Sequence, residues 1–376
     1  MGVEKKTILH LCSVMNRAGQ ETFIMNLFKN IDRSSTQFAF LCMENRKGDL
    51  DDEIEALGGK IYHLKDSHFR SSILKRLYKI LQLVSFFRKH REINVYHIHN
   101  YHALDVFEHL LASKLCGVKK VVVHSHNSEA PRPVLHKVFR KINNLFHYDK
   151  FACSTLAANW LFGPDATRNG EVAIIKNGTL TQKYTFDNTK RNRIRKELGI
   201  SDALVIGHIG RFNQQKNHQY LIKVFQRIYL NNKNAILLLV GVGELEKEIE
   251  KTVNEYGLHS AVKFLGLRTD IPELLSGMDL FLFPSLYEGF SMVLVEAQAN
   301  GLPCIISDTQ DQSICITDLV HTLPIDSEYI DKWVSESFFI IKKDVKRENY
   351  ALEIKNKGYD FADIAKDIQN YYYNKI

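Results

Sequence analysis

Apolar residues along this chain gather in short, nearly uninterrupted runs, and the stretches between them repeat apolar positions every three or four residues. In the first half the runs fall at residues 7–14, 38–43, 95–99, 120–124, 151–154 and 172–176. In the second half LVIGHIG (204–210), AILLLVG (235–241), residues 280–284 and residues 303–307 have the same character. Runs this short with little alternation are expected of strands covered on both faces. Between them, residues 217–229 align Leu221, Val224, Phe225 and Ile228 on one stripe. Leu245, Ile249, Val253 and Tyr256 form another that ends at Gly257, a candidate C-cap. Strands alternating with helices predict two α/β halves with parallel sheets, joined near residue 180. The tail, YDFADIAKDIQNYYYNKI, reads as helical.

Residues 72–91 form a third helical pattern. At about 100° per residue, Ile73, Leu74, Leu77, Ile80, Leu81, Val84 and Phe87 share one side, which is expected to face the core. Lys75, Lys79 and Lys89 lie opposite, beside Tyr78 and Phe86. A phenylalanine among lysines suggests an amphipathic helix that rests on an anionic membrane surface.

Ligands of parallel sheets bind at strand carboxyl ends, and residues 264–308 carry the chemistry expected there. The segment reads FLGLRTDIPELLSGMDLFLFPSLYEGFSMVLVEAQANGLPCIISD. Two strand candidates bracket a loop with Glu288 and Gly289, followed by an apolar helix carrying one carboxylate, Glu296. Backbone N–H groups of Gly289, Phe290, Ser291 and Met292 would point from a helix start, where the dipole favours anions. A carboxylate inside so apolar a helix needs partners, and ligand hydroxyls would serve. For either glutamate alone, a solvated loop position or a structural ion pair is the competing reading. Arg211 and Lys216, five residues apart after LVIGHIG, can reach both phosphates of a nucleotide diphosphate, or they are surface cations.

Two glutamates separated by seven residues after a Pro-Ser strand end resemble the hallmark of the retaining glycosyltransferases of family four. HIGRFNQQKNHQYLIKVF (208–225) and FACSTLAANWLFG (151–163) support the resemblance, which runs over nearly the whole chain. The wording is most similar to bacterial enzymes of capsule and exopolysaccharide assembly. The implied fold is GT-B, with two facing Rossmann-like domains, a cleft between them and a C-terminal helix crossing back. The implied domains are 1–180 for the acceptor, 181–355 for the donor, and 356–376 as that helix.

The resemblance also implies roles. Arg211 and Lys216 hold the donor diphosphate and stabilise the charge that gathers as it leaves, without a metal or other cofactor. Glu288 holds sugar hydroxyls, aided by Gly289, Phe290, Ser291 and Met292, while Glu296 holds the ribose. Leu267 and Arg268 approach the base. The loop VMNRAGQET contributes Gly19 to the donor and Arg17 to the acceptor, but Ala18 stands where a second glycine is usual. Leu180, Val242 and Glu244 are further departures at donor positions. In HIHN and HSHN, His99 and Asn100 are expected near the acceptor and His126 near the reacting carbon. His97, His99, His124 and His126 could instead form a metal site, although neither a carboxylate nor a cysteine joins them. The implied reaction moves a hexose or N-acetylhexosamine from a nucleotide-diphosphate sugar, UDP-linked, to a lipid-linked or glycan acceptor. A sugar-nucleotide epimerase, a phosphorylase and a non-catalytic assembly subunit are the rivals.

Charge changes the picture in one respect. The total is +7, yet residues 60–150 alone hold 17 Lys and Arg against 6 Asp and Glu. That patch calls for an anionic partner. No nucleic-acid-binding motif accompanies it, so an anionic membrane surface or a lipid diphosphate is expected rather than nucleic acid. The six cysteines lack the spacing of a zinc or redox motif, and read as free thiols of a reducing compartment. No apolar run approaches a membrane span, and Lys5, Lys6 and TILHLCSV read as the lead-in to a first strand. The expected location is the cytoplasm, peripheral on the inner face of the cell membrane.

Overall fold

A computed structural model describes residues 5–16, 19–100, 102–127, 132–288 and 290–373. The chain divides into two units, Met1–Asn177 with Phe361–Ile376, and Gly178–Asp360. In the first, β1 (Lys6–Cys12), β2 (Thr36–Cys42), β3 (Lys60–His63), β4 (Ile93–His99), β5 (Lys120–Ser125), β6 (Asp149–Ala152) and β7 (Val172–Ile174) form one parallel sheet. Its order is β3-β2-β1-β4-β5-β6-β7. Five consecutive residues at the carboxyl ends of β1, β2 and β4 are buried, so these runs need no alternation.

Leu9, Leu41, Tyr96, Ile98 and Val123 pack with Leu83, Val106 and Leu110 of the helices Ser72–Lys89 and Ala103–Cys116. The opposite face carries His10, Phe38 and His97 against Tyr372 of the helix Phe361–Tyr373. That helix is tied down by Lys6 Nζ donating to the Tyr372 carbonyl at 3.2 Å, and by Tyr373 donating to the Ser35 carbonyl at 2.6 Å.

The helix Ser72–Lys89 forms as its periodicity predicts, but its first turns present the opposite side to the protein. Leu74, Leu77 and Leu81 are 45%, 53% and 66% exposed, and Ile73 is also exposed. Arg76 pairs with Asp105 and with the buried Glu108, and Lys79 pairs with Glu108 at 2.6 Å. Phe86 packs edge-on against Tyr62, with centroids 5.1 Å apart, and tilts over His90 at 4.5 Å. Of the expected solvated face, Lys79, Tyr78 and Phe86 are therefore half-buried while Lys75 and Lys89 stay exposed, because the buried carboxylate on the neighbouring helix draws in Arg76 and Lys79.

In the second unit, β8 (Leu204–Ile209), β9 (Ala235–Val240), β10 (Val262–Phe264), β11 (Leu280–Phe283), β12 (Cys304–Ser307) and β13 (Val320–Leu323) form a parallel sheet of order β10-β9-β8-β11-β12-β13. Helix His218–Asn231 buries Leu221, Val224, Phe225 and Ile228 against it. Helix Glu246–Glu255 buries Ile249 and Val253, and Gly257 follows with φ 66°. In each sheet the strand order reverses between neighbours, β1 beside β4 and β8 beside β11, which opens a crevice at their carboxyl ends.

All six cysteines are free. No described helix is long and apolar enough to cross a membrane.

Candidate active site

The loop after β8 and the loop after β11 meet at the crevice of the second sheet. Leu286 N–H donates to the Gln215 carbonyl at 2.8 Å, and Gln215 Nε2 donates to the Tyr287 carbonyl at 2.9 Å. Asparagines shape the β8 loop. Asn213 accepts from the Lys216 amide, while Asn217, in the left-handed region at φ 53°, donates to the Pro284 carbonyl at 3.2 Å. The neighbouring turn requires glycine. Gly241 has φ 136°, and a Cβ there would sit 2.1 Å from the Gly210 carbonyl oxygen; one on Gly243 would sit 2.4 Å from that of Phe212.

This framework brings Lys216 and Glu288 together. Lys216 Nζ donates to Glu288 Oε1 at 2.7 Å, with the two side chains only 14% and 12% exposed. The ammonium also stands 4.6 Å from the centre of the Phe283 ring. Arg211, by contrast, is largely exposed, and its guanidinium meets Glu244 at 3.3 Å. An exposed pair is worth little, so an incoming anion can displace it.

Helix Met292–Ala299 starts one residue after Ser291, whose side chain makes no capping bond. Phe290 stacks on Tyr359 with centroids 6.0 Å apart, and Gly289 lies outside the described residues. Glu296 accepts a hydrogen bond from the Tyr184 hydroxyl at 2.7 Å. Burial drives its carboxyl up to about 7, partly offset by the Tyr184 bond. Arg268 is engaged by Asp270 at 2.5 Å and Glu197 at 3.2 Å, while Leu267 is exposed. Tyr184 carried no sequence signal. It stands 112 residues before its partner, outside any motif.

In the first unit, β1, β4 and β5 pair His10 with His97 and His99 with His124 across the ladder. His99 bonds His10 at 3.0 Å and His126 at 2.9 Å, and Phe23 lies edge-on over His124 and His126. Burial holds His126 down at about 3, and His97, His99 and His124 well below the ordinary imidazole range. A cavity of about 640 Å³ is lined by Ser13, Glu21, Arg76, Lys79, His99 and Asn100. Asn100 accepts from the His102 amide at 2.9 Å. Gly19 opens the helix Gly19–Asn30, and a Cβ there would meet nothing within 4 Å. Arg17 and Ala18 lie outside the described residues. His10 was missed because the run ILHLC in β1 does not disclose which strands flank it.

The comparisons with known proteins bear on the family and the fold. Residues 190–357 match the family model described as glycosyl transferases group 1. Over 321 residues the chain is 34% identical to a Bacillus subtilis (strain 168) protein named as the glycosyltransferase EpsF, covering 84% of this chain and 82% of the relative. The chain belongs to the group 1 glycosyltransferases. This glycosyltransferase is also 23% identical over 377 residues to the capsular polysaccharide biosynthesis glycosyltransferase CapH of Staphylococcus aureus, covering 98% and 99% of the two chains. Its fold is that of the crystal structure of Anabaena HepE in complex with UDP, with a TM-score of 0.75 at 19% identity over 98% of this chain and 99% of that one. The likeness establishes the GT-B type of two Rossmann-like domains.

Proposed function

We propose that this enzyme is a retaining glycosyltransferase of family four. It moves a hexose or N-acetylhexosamine from a UDP-sugar to a lipid-linked or glycan acceptor in cell-surface polysaccharide synthesis. The observation that carries the reading is the largely shielded Lys216–Glu288 pair at the β8/β11 crevice, with exposed Arg211 on the β8 loop and Glu296 on the helix that follows Glu288. The UDP in the HepE crystal structure and the name of CapH support the donor and the pathway.

In the proposed reaction Lys216 and Arg211 take the donor diphosphate. As the bond from the anomeric carbon to the phosphate oxygen breaks, the acceptor oxygen bonds that carbon on the same face, and its proton passes to the leaving phosphate. The two cations stabilise the departing charge, so no metal or other cofactor is required. Glu288 holds sugar hydroxyls and Glu296 the ribose, with Gly19 and the amides of Gly289, Phe290, Ser291 and Met292 around the donor. His126 meets the sugar near the reacting carbon. Arg17 and Asn100 serve the acceptor, and His99 acts on that side through His126, to which its Nδ1 is bonded. Arg268 orders the loop beside the base through Asp270 and Glu197. The exposed leucines of helix Ser72–Lys89, on a domain rich in lysine and arginine, would rest on the anionic inner face of the membrane.

The test is a panel of UDP- and GDP-sugars with a polyprenyl-diphosphate-linked saccharide in EDTA, with product configuration read by NMR. UDP release with retained configuration is expected. An inverted product, or no release from any donor, overturns the proposal.

A further inference from the structure

Five histidines lie together in the first unit, and the catalytic reading uses two of them. His97 and His99 stack with centroids 4.1 Å apart, His124 and His126 are tilted at the same separation, and His10 stacks 5.3 Å from His99. Three are also joined end to end. Nδ1 of His10 meets Nε2 of His99 at 3.0 Å, and Nδ1 of His99 meets Nε2 of His126 at 2.9 Å. At the inner end, Nε2 of His10 is buried without a partner among the described residues. At the outer end His126 is half-buried, and its Nδ1 bonds to none of the described residues.

Burial keeps these rings neutral, so each carries one N–H. His99 must then donate through one nitrogen and accept at the other, which leaves two proton arrangements for the whole chain. In the outward arrangement His10 Nδ1–H donates to His99, His99 Nδ1–H donates to His126, and His126 keeps its proton on Nδ1. In the inward arrangement His10 is left with a buried Nε2–H that has no acceptor. Orphaned buried N–H groups are rarer in folded proteins than uncovered acceptors, so the outward arrangement is the more stable. We infer that His10 and His99 are positioning residues, a hydrogen-bonded relay that locks His126 as the Nδ1–H tautomer and leaves that N–H to donate to an oxygen of the transferred sugar. The catalytic consequence rests on the proposed role of His126, whereas the tautomer itself is a property of the unliganded protein.

The same rings supply two triads, His10–His97–His99 and His99–His124–His126, whose ligand atoms lie within 4.8 Å of one another. Tetrahedral ligands at 2.0–2.1 Å from a metal stand about 3.3 Å apart. The joined nitrogens are closer than that, at hydrogen-bond distance, and the joined rings stack on one another. Geometry therefore favours the relay.

Long-range proton–nitrogen NMR on the full chain labelled with ¹⁵N-histidine reads the tautomer directly, with His126 assigned by the signals lost in His126→Gln. Wild-type His126 is expected to be protonated on Nδ1 and bare at Nε2. In His99→Phe it should relax to a tautomer mixture, and kcat should fall about tenfold with the donor KM unchanged. Protonation of wild-type His126 on Nε2 overturns the relay, as does a tautomer indifferent to His99→Phe. Stoichiometric zinc binding that shifts the His99 and His124 signals replaces it with a metal site. Should His99→Phe not fold, the wild-type spectrum alone decides. The expected tautomer together with a fully active His126→Gln leaves the relay standing and removes the catalytic role.

Discussion

Lys216 Nζ and Glu288 Oε1 stand 2.7 Å apart, so the cation assigned to the donor's phosphate and the carboxylate assigned to its sugar neutralise one another without ligand. The pair is mostly shielded from water, and neither charge is left uncompensated before the donor arrives. Donor binding then exchanges this contact for two others. Glu288→Gln should abolish transfer while UDP still binds, since Lys216 keeps its charge and loses only a competitor. Steady-state turnover and a UDP titration on the same preparation check this, and parallel loss of both would refute the division between sugar and phosphate.

Glu296 should make stability depend on pH. Its carboxyl titrates at about 7 in the folded chain against an ordinary 4.5, so between those values the folded state binds more protons than the unfolded. Its contribution is fully present below about pH 4.5 and is lost as pH rises through 7. Glu296→Gln, which cannot ionise, should therefore gain on the wild type by about 3 kcal/mol between pH 4.5 and pH 8. Urea denaturation at the two pH values measures the difference. An equal gap at both would place Glu296 in an environment that does not disfavour its charge.

Arg211 is exposed and weakly held by Glu244, whereas Arg268 is engaged by two carboxylates. Arg211→Ala should cut kcat about a hundredfold or more without changing the melting temperature. Arg268→Ala should alter donor KM more than kcat. The opposite pattern in steady-state kinetics would exchange their roles.

The helix Ser72–Lys89 yields a two-sided prediction. Leu77→Glu with Leu81→Glu should release the protein from anionic liposomes without unfolding it, because both leucines are exposed. Glu108→Ala should instead destabilise by about 3 kcal/mol, leaving Arg76 and Lys79 without their buried partner. Sedimentation with vesicles and thermal melts separate the two. Unchanged sedimentation of the leucine variant would rule this helix out as the anchor.

The two parallel sheets were legible because β1, β5, β8 and β9 are apolar runs with few interruptions, a consequence of burial on both faces. The Glu288 loop and the Glu296 helix were legible because their carboxylates break an otherwise apolar frame. The orientation of helix Ser72–Lys89 was not, since it has apolar residues on more than one side and Glu108, on the next helix, decides which is covered. β3, with only four residues of mixed exposure, was also missed. Tyr184 and His10 escaped because each acquires its role from a partner distant in sequence, at 112 and 89 positions.

The central claim is that the donor nucleotide is held by Lys216 and Glu296 without a metal. Calorimetric titration of UDP in EDTA into wild type, Lys216→Ala and Glu296→Gln tests it most directly. At pH 8, where Glu296 is ionised, the account predicts binding to the wild type unaffected by EDTA, and a loss of about 1.5–3 kcal/mol in each variant, the worth of one charge-assisted hydrogen bond. Wild-type binding that vanishes in EDTA and returns with magnesium or manganese, or unchanged affinity in both variants, would contradict it.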